Sequence, residues 1–217
     1  PLSQPPMAGS AVAAVLTHPE AIFPAKLIVQ ITPGEEHLAV YEAERILAET
    51  GLYFVSGGEL ARLVPTQGSV CCEVVNLQTL YVFLSETIEW QRQNPKGDWV
   101  TCNPPHHLLN TLIHNRDRKH LKTLKGIAHQ PYYDPNEPLV TTPGFNATTG
   151  IYAAFGAGDY AVSAPTREDA QRCLMALKAE LADFEFEKPE DQSAALSAIL
   201  TAVIRPGLAL APAFNIN

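Results

Sequence analysis

Long hydrophobic runs are missing from this sequence, as is a basic leader followed by an apolar stretch. The apolar runs stop well short of the roughly 18 residues that a membrane-spanning helix needs. Because no secretory signal pattern is recognisable either, we expect a soluble cytoplasmic protein. With 217 residues and a hydrophobic content of 46%, the chain is long enough to bury a core.

Cysteine is scarce and poorly spaced for disulfide or metal chemistry. The four cysteines are Cys71, Cys72, Cys102 and Cys173, and no C-x-x-C pair occurs. Neighbouring cysteines on a strand point to opposite faces, so neither a disulfide framework nor a zinc ribbon is indicated. Reduced, buried thiols are expected. Cys102 and His106 have ligand-like spacing without a second pair, so we predict exposed helix histidines and no metal site.

Positive charge is in deficit overall but concentrated in one place. The net charge of −8 argues against a broadly basic surface for nucleic acid. Five of the 15 lysines and arginines nevertheless fall within residues 116–125, which we call the basic segment. It either contacts phosphates or is a solvated loop. If it is helical, Leu121 and Leu124 share a face away from three of its cations. The cations of the segment are Arg116, Arg118, Lys119, Lys122 and Lys125.

Predicted helices and short β-hairpins alternate along the chain, which indicates an α+β fold with elements resembling those of winged-helix modules. Thr32 and Glu35 form a predicted capping box for the first helix, and Gly51 ends it. Gly57-Gly58 predicts a hairpin because both glycines tolerate positive φ angles. The remaining predicted strands lie at 26–31, 52–56, 60–64, 70–75, 99–102, 159–163 and 208–216, and the remaining predicted helices at 77–93, 104–115, 166–181 and 193–204.

Two of these predicted helices carry further signals. The helix at 104–115 has apolar residues at helical spacing, namely Leu108, Leu109, Leu112 and Ile113. The helix at 166–181 begins with a second predicted capping box, formed by Thr166 and Asp169, and we expect an apolar stripe along it.

The range 126–155 is rich in proline and glycine between short β-prone runs, and it predicts a central hairpin-and-turn unit. Asp134-Pro135-Asn136-Glu137 separates Tyr132-Tyr133 from Leu139-Val140, an arrangement typical of a β-hairpin. Thr149-Gly150 predicts a further turn. This region is therefore expected to be built from paired strands.

Aromatic side chains in this region are candidates for stacking on unpaired bases. Because side chains alternate along a strand, about half of them are expected to belong to the core. The turn carboxylates of Asp134, Glu137 and Asp159 could hold Mg²⁺, but acidic residues in turns normally bond their own backbone. Neither catalysis nor a cofactor is therefore predicted. The aromatic candidates are Tyr132, Tyr133, Phe145, Tyr152 and Phe155.

Three stretches together resemble a known family. Leu121-Lys-Thr-Leu-Lys-Gly-Ile127 is followed by Pro131 and then by Thr142-Pro-Gly-Phe-Asn-Ala-Thr-Thr-Gly-Ile-Tyr152. This order is similar to a pattern upstream of the ATPase domain in phage- and plasmid-type primase–helicase proteins. The tail 182–216 resembles the lead-in to that ATPase.

The resemblance implies a non-catalytic module of a mobile-element replication protein that helps a helicase to engage or load on DNA. No G-x-x-x-x-G-K-[ST] loop occurs, so the chain is expected to be truncated before the nucleotide-binding loop. The expected organisation is a flexible leader at 1–25, an α+β unit at 26–125, the hairpin-and-turn unit at 126–165, and C-terminal helices at 166–217. The last part would be a helical lead-in with the first strand of a missing ATPase domain.

Single-stranded or forked DNA, the ATPase domain and further copies of the chain are the expected partners, and no membrane contact is expected. DNA contacts are expected from the five cations of the basic segment and from Tyr132 and Tyr133. Two alternatives remain open. One is a structural or oligomerising adaptor that binds protein partners and no nucleic acid. The other is a metal-dependent enzyme.

Overall fold

The computed structural model of the chain describes residues 25–66, 69–134, 137–156, 159–160, 166–205 and 212–214. Within them the chain forms two compact units. One combines residues 25–129 with 143–156, and the other combines 130–142 with the described residues after 156. The range 126–165, predicted as one hairpin-and-turn unit, is therefore divided between the two. The predicted leader lies outside the described residues apart from Ala25.

Both units contain helices and strands, which confirms the predicted mixed α+β class. The comparison with winged-helix modules stays a prediction. Strands β8 and β9 and helices α4 and α5 belong to the second unit. No helix in the described part of the chain is long and apolar enough to cross a membrane. The elements in chain order are β1 (Leu27–Ile31), α1 (Glu36–Glu49), β2 (Tyr53–Ser56), β3 (Glu59–Thr66), β4 (Ser69–Val74), α2 (Leu77–Thr87), β5 (Ile88–Gln93), β6 (Trp99–Cys102), α3 (His106–His114), β7 (Gly126–Ala128), β8 (Tyr132–Asp134), β9 (Glu137–Val140), β10 (Gly144–Asn146), β11 (Ile151–Ala153), α4 (Arg167–Ala179) and α5 (Pro189–Ile204).

Strands β2, β3 and β4 form an antiparallel meander. Its β2–β3 hairpin confirms the prediction made from Gly57-Gly58. The β2–β3 turn depends on Gly57 and Gly58, whose φ angles are +59° and +86°. A two-residue hairpin turn of this kind needs positive φ at both positions, which side chains disfavour. The glycine pair therefore fixes the register that places Val55 opposite Leu60.

The predicted helix at 77–93 is wrong beyond Thr87, because the residues that follow belong to a second sheet. The chain continues as β5, which pairs parallel with β1 and antiparallel with β6. Ile88 and Trp90 are buried while their neighbours are less so, which is the two-residue period of a strand. Trp90 lies opposite Val29 of β1, and its indole Nε1 donates to the carbonyl of Leu84 at 3.3 Å. Residues 88–93 form a strand despite their helical spacing, because they pair with the distant strand β1.

The capping box predicted at Thr32 and Glu35 is also wrong. Glu35 is the N-cap of α1 and makes no side-chain cap bond, while its amide donates to the Thr32 carbonyl at 3.0 Å in a turn where Gly34 has a φ of +83°. The box predicted at α4 is confirmed. There Thr166 and Asp169 bond each other's backbone amides reciprocally.

The core of the first unit is formed where the three helices cover the sheets. Each helix contributes a stripe of apolar residues at helical spacing, including Leu108, Leu109 and Leu112 of α3, as predicted. Trp90 and Tyr53 are among the largest fully buried side chains. Burial raises the pKa of Tyr53 to about 12.

The second unit is less well packed. Its β8–β9 pair confirms the predicted hairpin, and α5 contacts β8. Neither α4 nor α5 buries any residue, so the apolar stripe predicted on α4 stays at the surface. The strands predicted at 159–163 and 208–216 lie largely outside the described residues.

Candidate nucleic-acid interface

The basic segment is not helical: it bends between residues 117 and 120 and then runs beside β2. Its backbone pairs with Val55 of β2 through a parallel bridge at Thr123. The Val55 amide donates to the Lys122 carbonyl at 2.9 Å, and the Leu124 amide donates to the Val55 carbonyl at 2.8 Å. The segment therefore joins the edge of the meander beside β2 through a single bridge, and the helical arrangement of its cations does not occur.

Two leucines attach the segment to the core. Leu121 and Leu124 are both buried and belong to the hydrophobic core of the first unit. Burying a leucine side chain stabilises a fold by roughly 2 kcal/mol relative to leaving it exposed. The intervening Lys122 and Thr123 are exposed, so apolar contact holds one side of the segment and leaves the other open.

A buried carboxylate holds the start of the segment. Glu44 of α1 has no exposed surface, and its Oε1 accepts from the backbone amides of Lys119 and His120 at 2.7 Å and of Leu121 at 3.4 Å. Hydrogen bonds from a backbone to a charged acceptor are stronger than neutral ones. Glu44 therefore fixes the path of three consecutive residues.

Arg118 faces inward, which corrects its predicted role as a surface cation. Its guanidinium is partly buried and donates to the Ile113 carbonyl at 2.7 Å. Burial lowers the pKa of Arg118, and the carboxylates of Glu44 and Glu59 act in the opposite direction. Arg118 is thus part of the support of the segment rather than its contact surface.

Two exposed lysines of the segment lie against aromatic rings. Lys119 Nζ is 3.7 Å from the centre of the Tyr41 ring, and Lys122 Nζ is 5.4 Å from the centre of the Phe145 ring. A cation over an aromatic face at an exposed site gains about 0.5–1 kcal/mol. These contacts restrict where the two ammonium groups lie without removing their charge.

Lys125 packs beside the glycine of the β10–β11 turn. Its amide donates to the Gly150 carbonyl at 2.7 Å. Gly150 has a φ of +72°, and a Cβ at this position would come within 3.0 Å of Lys125 Cγ. The glycine therefore serves both the turn and the approach of the lysine stem, while Lys125 remains exposed, as does Arg116.

The two tyrosines predicted to contact DNA differ in their exposure. Tyr132 is only 4% exposed, so its predicted role in stacking on bases is wrong for this structure. Tyr133 is exposed, and both tyrosines belong to the second unit. Phe145 and Tyr152 pack around Phe54, with ring centres 5.1 and 6.2 Å away, so they serve the core of the first unit.

The prediction that the thiols are buried is wrong for two of the four cysteines. All four cysteines are free, but Cys72 and Cys173 are exposed. Among the described residues no three histidines, cysteines and acidic side chains are grouped so as to hold a metal ion. His106 instead stacks on Tyr81, with ring centres 5.4 Å apart.

An open cleft of about 460 Å³ lies next to the basic segment, between β1 and α1. His120 of the segment is one of its lining residues, and so is Tyr41, the ring beneath Lys119. Sequence reasoning missed both this cleft and Glu44. The available signal for Glu44 was a carboxylate on the helix face that carries Val40 and Leu47, a position where charge is normally absent.

Comparison with known proteins gives no assignment. No family model, curated protein or solved structure matches the chain. The resemblance to primase–helicase proteins therefore stays a prediction.

Proposed function

We propose that the chain is a non-catalytic module that engages single-stranded or forked DNA through the basic segment. The observation that carries the proposal is a row of exposed cations on a backbone held by Glu44 and Val55. Lysine and arginine side chains bind nucleic acid chiefly by neutralising phosphates, without regard to sequence. The row consists of Arg116, Lys119, Lys122 and Lys125.

These cations are available to an external anion. None of the ion pairs found among the described residues involves them, whereas Arg45 and Arg172 are paired with neighbouring carboxylates. The net charge of −8 repels a polyanion at long range, so binding should depend on this local patch and weaken with salt.

Lysines beside a sheet edge also have a simpler use. Charged side chains at an edge discourage pairing with another chain, and the basic segment lies along β2. Protection of this kind needs no fixed ammonium positions. The contacts of Lys119 with Tyr41 and of Lys122 with Phe145 favour a binding role instead.

Fluorescence anisotropy with a labelled single-stranded oligonucleotide tests the proposal. Each phosphate contact to a single strand contributes about −0.7 to the slope of log K against log salt, so four contacts predict a slope of about −3. The affinity should fall steeply as salt is raised from ~50 mM to ~200 mM. Absence of binding at the lower salt concentration to single-stranded, forked and duplex DNA would refute the DNA-contact proposal.

The adaptor alternative has one observation in its favour. Apolar side chains on α4, α5 and the intervening loop are exposed, among them Met175, Phe184 and Val203. Exposed apolar surface of this kind often marks a protein contact. A molar mass that rises with concentration in light scattering, together with no DNA binding, would favour the adaptor.

The mobile-element replication context, a neighbouring ATPase domain and a cytoplasmic location complete the proposal. Their support is the sequence resemblance across 121–152 and in the tail. They concern the setting of the module rather than its contact chemistry.

A further inference from the structure

The cleft beside the basic segment presents unusually exposed apolar surface. Ile28 of β1 and Leu38 of α1 are 60% and 52% exposed, and both line the cleft together with Tyr41. Large apolar side chains at this level of exposure gain free energy when a planar or apolar group covers them. The cleft therefore offers contact surface for a flat, weakly polar group.

The charges beside the cleft are close to balance, which suits an uncharged group rather than a strongly charged one. Glu42 is the carboxylate among its lining residues, and Arg45 binds both of its oxygens. The bonds from Arg45 lower the pKa of Glu42. Arg45 also pairs with the exposed carboxylate of Glu49, so one guanidinium is shared between two acidic side chains. Lys119 adds a positive charge above the Tyr41 ring, and His120 lines the cleft from the same segment.

Because this exposed apolar cleft lies beside the cations of the basic segment, we propose that it binds an unpaired base. The base would belong to the strand whose phosphates the basic segment contacts. The inference rests on the proposed function and narrows it to single-stranded nucleic acid. Bases in a duplex are stacked and paired, so they cannot enter a side cleft without being unpaired. Contacts of bases with apolar and aromatic side chains tolerate any sequence, because every base has a π-face.

Abasic DNA carries phosphates without bases, so it distinguishes contact with bases from contact with phosphates. Anisotropy titrations would compare an oligothymidine of about 15 nucleotides with an abasic strand of the same length and phosphate number. Base contact predicts about tenfold tighter binding of the oligothymidine. The double variant Ile28→Ser/Leu38→Ser should remove most of this preference and leave the abasic affinity unchanged.

A matched control changes apolar side chains elsewhere in the same unit. Val74 and Val82 are also exposed and lie on β4 and α2, so Val74→Ser/Val82→Ser should keep the preference. Equal, salt-dependent binding of both strands would overturn the base cleft while leaving the proposed function intact. A preference that survives in the Ile28/Leu38 variant would place the base contact elsewhere and also overturn it. Failure to bind either strand would overturn both proposals.

Discussion

Replacing Glu44 with alanine is expected to lower the free energy of unfolding by about 3 kcal/mol. The carboxylate is fully buried and accepts from three consecutive amides, those of Lys119, His120 and Leu121. Removing it leaves these donors without their acceptor, and the desolvation cost of each unpaired donor is about 1–3 kcal/mol when it is buried. Urea denaturation followed by circular dichroism measures the change.

Glu49→Ala is the matched control for this change. Glu49 lies on the same helix but is exposed and bonds only the side chain of Arg45 among the described contacts, so its loss should cost well under ~1 kcal/mol. Glu44→Gln keeps one acceptor oxygen and should fall between the two. Hydrogen exchange adds a local readout, because the amides of residues 119–121 should exchange faster in Glu44→Ala. Equal stability of the Glu44 and Glu49 variants would contradict the role given to this carboxylate.

Replacing Lys119, Lys122 and Lys125 together with glutamine is expected to weaken binding to single-stranded DNA more than about tenfold at ~50 mM salt. Glutamine keeps much of each side-chain stem while removing its charge, so the segment should stay folded against Leu121 and Leu124. The slope of log K against log salt should also become shallower by about 2, since three phosphate contacts are lost.

A control variant must carry the same net charge. Arg167→Gln/Arg172→Gln/Lys178→Gln removes three cations from α4, where all three side chains are exposed. If binding depended on net charge alone, the two triple variants would lose affinity equally. We expect the α4 variant to bind nearly as well as the unaltered chain.

Features set by nearby residues were predictable from the sequence. The Gly57-Gly58 hairpin and the Thr166 capping box each depend on residues within one turn, and both are confirmed. The helix at 77–93 failed beyond Thr87 because β5 is stabilised by β1, a strand some sixty residues earlier. Local periodicity carries no information about such a partner.

The candidate site likewise combines features that nearby residues set with features that distant contacts set. The cluster of cations at 116–125 is visible in the sequence, but its path depends on Glu44 and Val55, which lie far away along the chain. The inward direction of Arg118 likewise follows from its contact with Ile113 in the folded unit. Composition therefore located the segment, while tertiary contacts decided which of its cations face outward.

Lysine footprinting tests most directly whether the basic segment is the contact surface. The chain would be treated with an amine-acetylating reagent with and without single-stranded DNA, and modification would be read by mass spectrometry. We expect DNA to protect Lys119, Lys122 and Lys125 and to leave Lys96 and Lys178 as reactive as before. Protection of Lys96 or Lys178 in place of the segment, or no protection while DNA is bound, would contradict the proposed contact surface.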